Sequence, residues 1–265
     1  MPMMWVERIA VETGGRGDPL LLIHGLGGTS NFWTPVLPAV ARFRTLRPDL
    51  PGAGRSHRVE GPLSIDRFVR ALMRICGAAG VERVHVAAHS LGAIIAMHLA
   101  AQEPKLVRSL ALFGPLAAPP DAARAPIRAR AAKARQEGVA GMQDIADAIV
   151  ENATAAETRA RRLLAVAAVR ESLMRQCPDG YARSCEALAE AQAADVSGIR
   201  CPVLLVTGDE DAIAPPQTVR ALGEKFTGAQ PAQVEVLARC GHWTTFEKPE
   251  ECSQILGRFY SQRIA

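Results

Sequence analysis

Aromatic side chains are scarce in this sequence, 5% of its 265 residues, and its net charge is only +4. The arginines are scattered rather than gathered beside stacking rings, which argues against a nucleic-acid surface. No apolar stretch reaches membrane-spanning length, about 20 residues. The start, Met-Pro-Met-Met-Trp-Val-Glu-Arg, has no basic segment followed by an apolar one. No secretory signal is read there, and a cytoplasmic protein without membrane attachment is expected. The six cysteines (Cys76, Cys177, Cys185, Cys201, Cys240 and Cys252) show neither C-x-x-C spacing nor a zinc-type Cys/His run. They read as reduced thiols packed like small hydrophobes, and no metal is expected. The glycines after His24 fit neither nucleotide-binding fingerprint, so no cofactor is expected. What remains is an ordinary globular composition, 48% hydrophobic and 22% charged. The length suits one α/β domain with an insertion as well as it suits two domains.

The pattern then alternates. Residues 4–11 suggest a strand, and Pro19 to His24 is a short apolar run of the kind buried on both faces. An amphipathic helix is expected from Phe32 to Val40, a strand from Phe43 to Pro48, and a Pro/Gly loop from Asp49 to Ser56. Ser64 is placed to cap a helix running to about Ala79, with Ile65, Phe68, Val69, Leu72 and Ile75 on one face. Further strands are expected at 83–88, Val107–Phe113, Val203–Thr207 and Val234–Leu237, and helices at 91–103, from Pro216 to about Phe226, and at 249–261. Strand–helix alternation with short loops implies a mostly parallel sheet covered on both faces. The exception is 121–195, rich in alanine and arginine, with helical periodicity near 124–138, 140–151, 156–176 and 181–194. We therefore expect a core of residues 1–114 and 196–265 and a helical cap of residues 115–195. The cap arginines, Arg124, Arg128, Arg130, Arg159, Arg161 and Arg162, read as solvated helix faces.

Residues 84–99 organise the chain. Ser90 lies where the strand ends and the next helix begins, with Ala88 and Gly92 two residues to either side. A strand that reverses at once into a helix has room only for small neighbours. The turn pushes the hydroxyl out of the sheet and sets the Leu91 N–H at the positive end of the helix. This is the Gly-x-Ser-x-Gly nucleophile elbow with Ala88 in the first glycine place. The plainer reading is a serine that only caps a helix. A nucleophilic serine needs a base and a carboxylate to orient that base. His242 follows the last expected strand, and Asp209 and Asp211 both follow the strand before it. In a parallel sheet such groups meet at the carboxyl ends of the strands. Ser90, Asp211 and His242 are accordingly the expected catalytic set, with Asp209 an open alternative as the acid. The N–H groups of Leu26 and Leu91 are expected to form an oxyanion hole. Gly25, His89 and Trp243 are expected to line the pocket, with His89 equally suited to anchoring the elbow. His24 reads as a loop tie, His85 and His98 as packed or partly exposed, and His57 as solvated.

From Leu20 to the C-terminus the chain resembles the α/β-hydrolase family. The resemblance rests on His24-Gly25-Leu26-Gly27, Asp49-Leu50-Pro51-Gly52-Ala53-Gly54-Arg55-Ser56, Ala88-His89-Ser90-Leu91-Gly92, Gly208-Asp209-Glu210-Asp211 and Gly241-His242. It implies the α/β-hydrolase fold, the order serine, acid, histidine, and Asp211 as the acid. Within the cap, Lys133-Ala134-Arg135-Gln136-Glu137-Gly138, Ala146-Asp147-Ala148-Ile149 and Gly180-Tyr181-Ala182-Arg183-Ser184-Cys185-Glu186-Ala187-Leu188 are similar to β-ketoadipate enol-lactone hydrolases. The stretch Glu151-Asn152-Ala153-Thr154-Ala155 departs from that group, which commonly has an aromatic residue there. The resemblance implies a cofactor-free hydrolase of small carboxylic esters or lactones that works through an acyl-enzyme. Carbon–carbon bond hydrolases and perhydrolases share the triad, and a ligand receptor that has lost turnover is a further alternative. Dehalogenases and epoxide hydrolases of this fold need an aspartate where Ser90 stands.

Overall fold

A computed structural model of the chain describes residues 2–228 and 230–261. Eight strands form one sheet: β1 (Met3–Val6), β2 (Ile9–Gly14), β3 (Pro19–Ile23), β4 (Arg44–Pro48), β5 (Val84–His89), β6 (Val107–Phe113), β7 (Val203–Gly208) and β8 (Gln233–Leu237). Their spatial order is β1-β2-β4-β3-β5-β6-β7-β8. β1 and β2 pair antiparallel, as do β2 and β4, and every later neighbour pair is parallel. The central strands explain their apolar runs, since every residue of β5 and β7 is buried. The expected first strand is in fact two. The chain reverses at Glu7, whose φ of 55° is the left-handed conformation of a tight hairpin turn.

The α-helices are α1 (Ile65–Ala78), α2 (Leu91–Gln102), α3 (Asp121–Ala153), α4 (Ala156–Arg161), α5 (Leu163–Met174), α6 (Pro178–Ala189) and α7 (Pro216–Gly223) between strands, and α8 (Thr244–Glu247) and α9 (Pro249–Ser261) after β8. Ser64 caps α1 as expected, its hydroxyl accepting the Arg67 N–H at 3.2 Å. α2 is apolar on every side from Leu91 to Met97 because that whole stretch is buried. Right-handed crossovers place α1 and α2 on one face of the sheet. On the other, α9 packs against Ser30–Val40. That segment is a 3₁₀ helix rather than an α-helix. Pro35 and Pro38 lie inside it and supply no N–H for an α-helical ladder.

Residues 115–195 contribute no strand and four helices, α3 to α6, between β6 and β7. The two helices expected at 124–138 and 140–151 lie within α3, which is divided between them at Gly138, whose φ of 60° and ψ of −129° are not helical. The expected helix 156–176 is broken at Arg162 into α4 and α5, and the last one ends at Ala189 rather than 194. α3 packs along α5 and α6 to form a layer of its own.

Two glycines separate packing from propensity. A Cβ on Gly92 would sit 2.6 Å from the His24 carbonyl oxygen and 2.7 Å from that of Ile23, whereas one on Gly77 of α1 would meet nothing within 4 Å. Gly92→Ala is expected to lower unfolding free energy by about 3 kcal/mol through backbone overpacking. Gly77→Ala should raise it by about 0.5 kcal/mol by removing chain entropy from the unfolded state. Urea unfolding midpoints check both signs.

Candidate active site

The carboxyl ends of β3, β5, β7 and β8 bring the expected residues together. Ser90 sits between β5 and α2 at φ 52° and ψ −116°, well outside the regions an L-residue prefers. Its N–H is held by the Phe113 carbonyl at 3.0 Å, and its own carbonyl accepts the Ala93 N–H at 2.8 Å. Ser90 is therefore the junction residue of α2, and its hydroxyl is left free of capping. That hydroxyl lies 2.9 Å from His242 Nε2. His242 Nδ1 lies 2.8 Å from Asp211 Oδ2. Gly114 makes room for the imidazole, because a Cβ there would sit 2.8 Å from its Cε1.

Asp211 and Asp209 do different things. Asp211 is 2% exposed, and its Oδ1 accepts the N–H groups of Ile213 and Ala214, both at 2.9 Å. The exposed Asp209 instead accepts the Cys240 N–H at 3.1 Å and ties β7 to the turn after β8. Burial by itself would raise the Asp211 carboxyl. The charge and hydrogen bond of His242, with the Ala214 and Ile213 amides, outweigh that and hold it at about 2.

Among the described residues neither Leu26 N–H nor Leu91 N–H has a protein acceptor. Leu91 opens α2, where amides lack helical partners. The turn at Leu26 is braced from below and above. Below, His24 Nδ1–H donates to the Gly25 carbonyl at 2.8 Å and its Nε2 accepts the Leu50 N–H at 2.8 Å, which assigns the neutral tautomer. Burial also lowers the His24 pKa. Above, Ser172 of α5 and Gln176 donate to the Gly27 carbonyl at 2.8 and 3.1 Å. Neither residue was expected at the site. Both lie within an expected helix, where nothing in the spacing marks them.

His89 lines the cavity, and its Nε2–H donates to the His242 carbonyl at 2.8 Å. Its ring stacks on Phe32 with centroids 4.2 Å apart. Burial and the neighbouring His242 push its pKa well below the usual histidine value. Trp243 lines the cavity as well. Gly25 does not: it packs behind the elbow, where a Cβ would lie 2.7 Å from His89 Nδ1. Its smallness serves close approach rather than the cavity wall.

The cavity holds about 540 Å³ and reaches from Ser90 and His242 into the helical segment. Its walls are mainly apolar, with Leu116, Ile127, Ile145, Ile149 and Leu188 among them. Arg130, expected as a solvated residue, lines it. Nearby Arg124, Arg128 and Arg135 pair with Asp121, Glu190 and Glu186, but Arg130 pairs with no carboxylate among the described residues. Among those residues no group of three or more His, Cys, Asp or Glu side chains is placed to hold a metal ion, and no helix is long and apolar enough to cross a membrane.

Comparison with known proteins agrees with the fold. The model of the alpha/beta hydrolase fold family matches residues 18–249. A protein of Azorhizobium caulinodans provisionally named carbamate hydrolase RutD is 46% identical over 102 residues, 38% of each chain. The 2-hydroxymuconate semialdehyde hydrolase of Pseudomonas putida is 28% identical over 271 residues, 97% of this chain and 92% of its own. The enol-lactonase of Burkholderia xenovorans superposes with a TM-score of 0.87 at 24% identity, covering 98% of this chain and all of its own.

The Asp211 carboxyl titrates lower in the folded chain than its ordinary value of 3.8, so it stabilises the fold above about pH 4 and that contribution is lost as pH falls toward about 2. Asp211→Asn is expected to cost about 2 kcal/mol at neutral pH. Urea denaturation at a series of pH values should show the gap from wild type closing across that acid window. A gap that stays constant would assign the loss to packing instead.

Proposed function

The chain belongs to the α/β-hydrolase fold family, and from that footing we propose that it hydrolyses small carboxylic esters or lactones through an acyl-enzyme. The observation that carries this reading is the chain of two hydrogen bonds, Ser90 to His242 to Asp211, whose first two members line an apolar cavity. In the proposed reaction His242 Nε2 takes the proton of Ser90 Oγ as the oxygen attacks the substrate carbonyl. Asp211 keeps the imidazole in the tautomer with its free nitrogen toward Ser90, and stabilises it when it becomes charged. The N–H groups of Leu26 and Leu91 receive the developing oxyanion, an arrangement typically worth about 3–4 kcal/mol of barrier per donor. His242 then protonates the leaving oxygen. Water, activated by the same imidazole, attacks the acyl group and frees Ser90.

Enol-lactones are a member of this substrate class supported by the similarity of the cap segments and by the enol-lactonase superposition. A second reading, carbon–carbon bond hydrolysis on the same triad, is favoured by the full-length relative that acts on a semialdehyde, a substrate with no ester bond. Arg130 supports a preference for substrates whose far end is anionic.

A panel of aryl esters of graded acyl length, simple lactones, an enol-lactone and a vinylogous diketone decides among these. Ser90→Ala and His242→Gln are expected to lower kcat on the best substrate by at least about a thousandfold with the fold retained. Full activity in Ser90→Ala would reject the mechanism. Turnover of the diketone alone would install the second reading. Arg130→Met should raise KM about tenfold or more for an ester with a terminal carboxylate and leave a neutral ester unchanged, the scale of one lost charge-assisted hydrogen bond.

A further inference from the structure

Glu247 is a fully buried carboxylate that the proposed reaction does not use. Desolvating an ionised carboxylate is unfavourable unless its oxygens are hydrogen-bonded or paired with a cation. Among the described residues no lysine or arginine pairs with it, and the adjacent Lys248 is engaged with Glu157 at 2.9 Å. Four donors satisfy it instead, and they come from two places. Two are amides flanking His242: Gly241 N–H reaches Oε2 at 3.1 Å and Trp243 N–H reaches Oε1 at 3.0 Å. Two belong to the helical segment: Ala155 N–H and Thr158 Oγ1–H reach Oε2 at 2.7 and 2.8 Å. The amide between the flanking pair, His242 N–H, donates to the Ala153 carbonyl at 2.9 Å. The two strands of chain are as close as backbone allows, because a Cβ on Gly241 would lie 2.8 Å from Ala153 O and from Ala155 N.

Three consecutive amides of the His242 turn are thus fixed by one carboxylate and by the stretch of helical segment that the same carboxylate holds. We propose that Glu247 is a positioning residue for His242, seating the imidazole through residues 153–158 of the helical segment docked against the turn. The proposal rests on the reading of Ser90 and His242 as nucleophile and base. It explains why an acid rather than an amide stands at 247. Oε2 receives three donors and Oε1 a fourth, so a glutamine would turn an N–H₂ toward at least one of them.

A merely structural role and a positioning role separate in the labelling of Ser90 by an aryl phosphonate ester. In that reaction Ser90 Oγ forms a bond to phosphorus, aryloxide leaves, and the serine proton passes to His242. Fewer folded molecules lower the extent of labelling, whereas a displaced imidazole lowers its rate constant in every molecule. Glu247→Gln is expected to label to the wild-type extent about a hundredfold more slowly, the scale of a misplacement of ~1 Å. Its KM for an aryl ester should stay within about threefold of wild type, as uniform binding is untouched. Thr158→Val, which removes one donor from the far side, should slow labelling in the same direction by a smaller factor. It decides the matter if Glu247→Gln does not fold. A wild-type rate constant in the folded variants overturns the positioning role. Wild-type protein that labels no faster than Ser90→Ala overturns the triad reading and this inference with it.

Discussion

Ser90 holds a backbone conformation that its surroundings must enforce, and much of the molecule is arranged around that enforcement. Residues held at such angles cost about 1–3 kcal/mol and persist only where neighbours over-determine them. Here β5 enters the turn fully buried, the Phe113 carbonyl fixes the Ser90 amide, and α2 leaves at once with its first turn against β3. Gly92 allows that approach, since the carbonyls of Ile23 and His24 occupy the space a side chain would need. The strain has a consequence for chemistry. It turns the serine hydroxyl away from the helix end it would otherwise cap and toward His242.

Around that turn several polar groups are held by more than one partner. Asp211 accepts two loop amides on one oxygen and the imidazole on the other. His24 spends both nitrogens on backbone, and His89 spends one on the His242 carbonyl. Burial keeps both of these histidines toward the neutral side, so they order the site without adding positive charge beside the imidazole. Against this background the amides of Leu26 and Leu91, left without protein acceptors, stand out. In a low-dielectric site, oriented donors with no partner are most useful to a charge that forms only during a reaction.

The sheet and the elbow were legible because they follow from local rules. Short apolar runs, small residues beside Ser90 and the strand–loop spacing of Asp211 and His242 each carry a physical signal. The choice between Asp209 and Asp211 was not legible from the residues alone. Both sit in one loop, and only the amides of Ile213 and Ala214 and the depth of burial separate them. The prolines of 35 and 38 were visible, yet periodicity suggested an ordinary helix where the chain forms a 3₁₀ segment. Gly25 was expected to line the pocket, whereas its near neighbour is His89. Glu247, Ser172 and Gln176 lay beyond reach for another reason. Their partners are 89 to 149 residues away for the contacts that matter, and a helix pattern says nothing about which distant backbone group a polar side chain meets.

Those long-range contacts change how the two parts of the chain are to be understood. A helical layer that merely covered a finished site would touch it through apolar side chains alone. Here the layer also holds backbone of the core: Ser172 and Gln176 take the Gly27 carbonyl, and Ala153 takes the His242 amide. The two turns so gripped carry one expected oxyanion donor and the expected base. The cavity walls come largely from the same helices, Ile127 and Ile145 of α3 and Leu188 of α6 among them. Substitutions that reshape the cavity therefore act on the elements that fix the proposed oxyanion donor and base. In such an arrangement substrate range and catalytic geometry vary together, because one layer of helices supplies both.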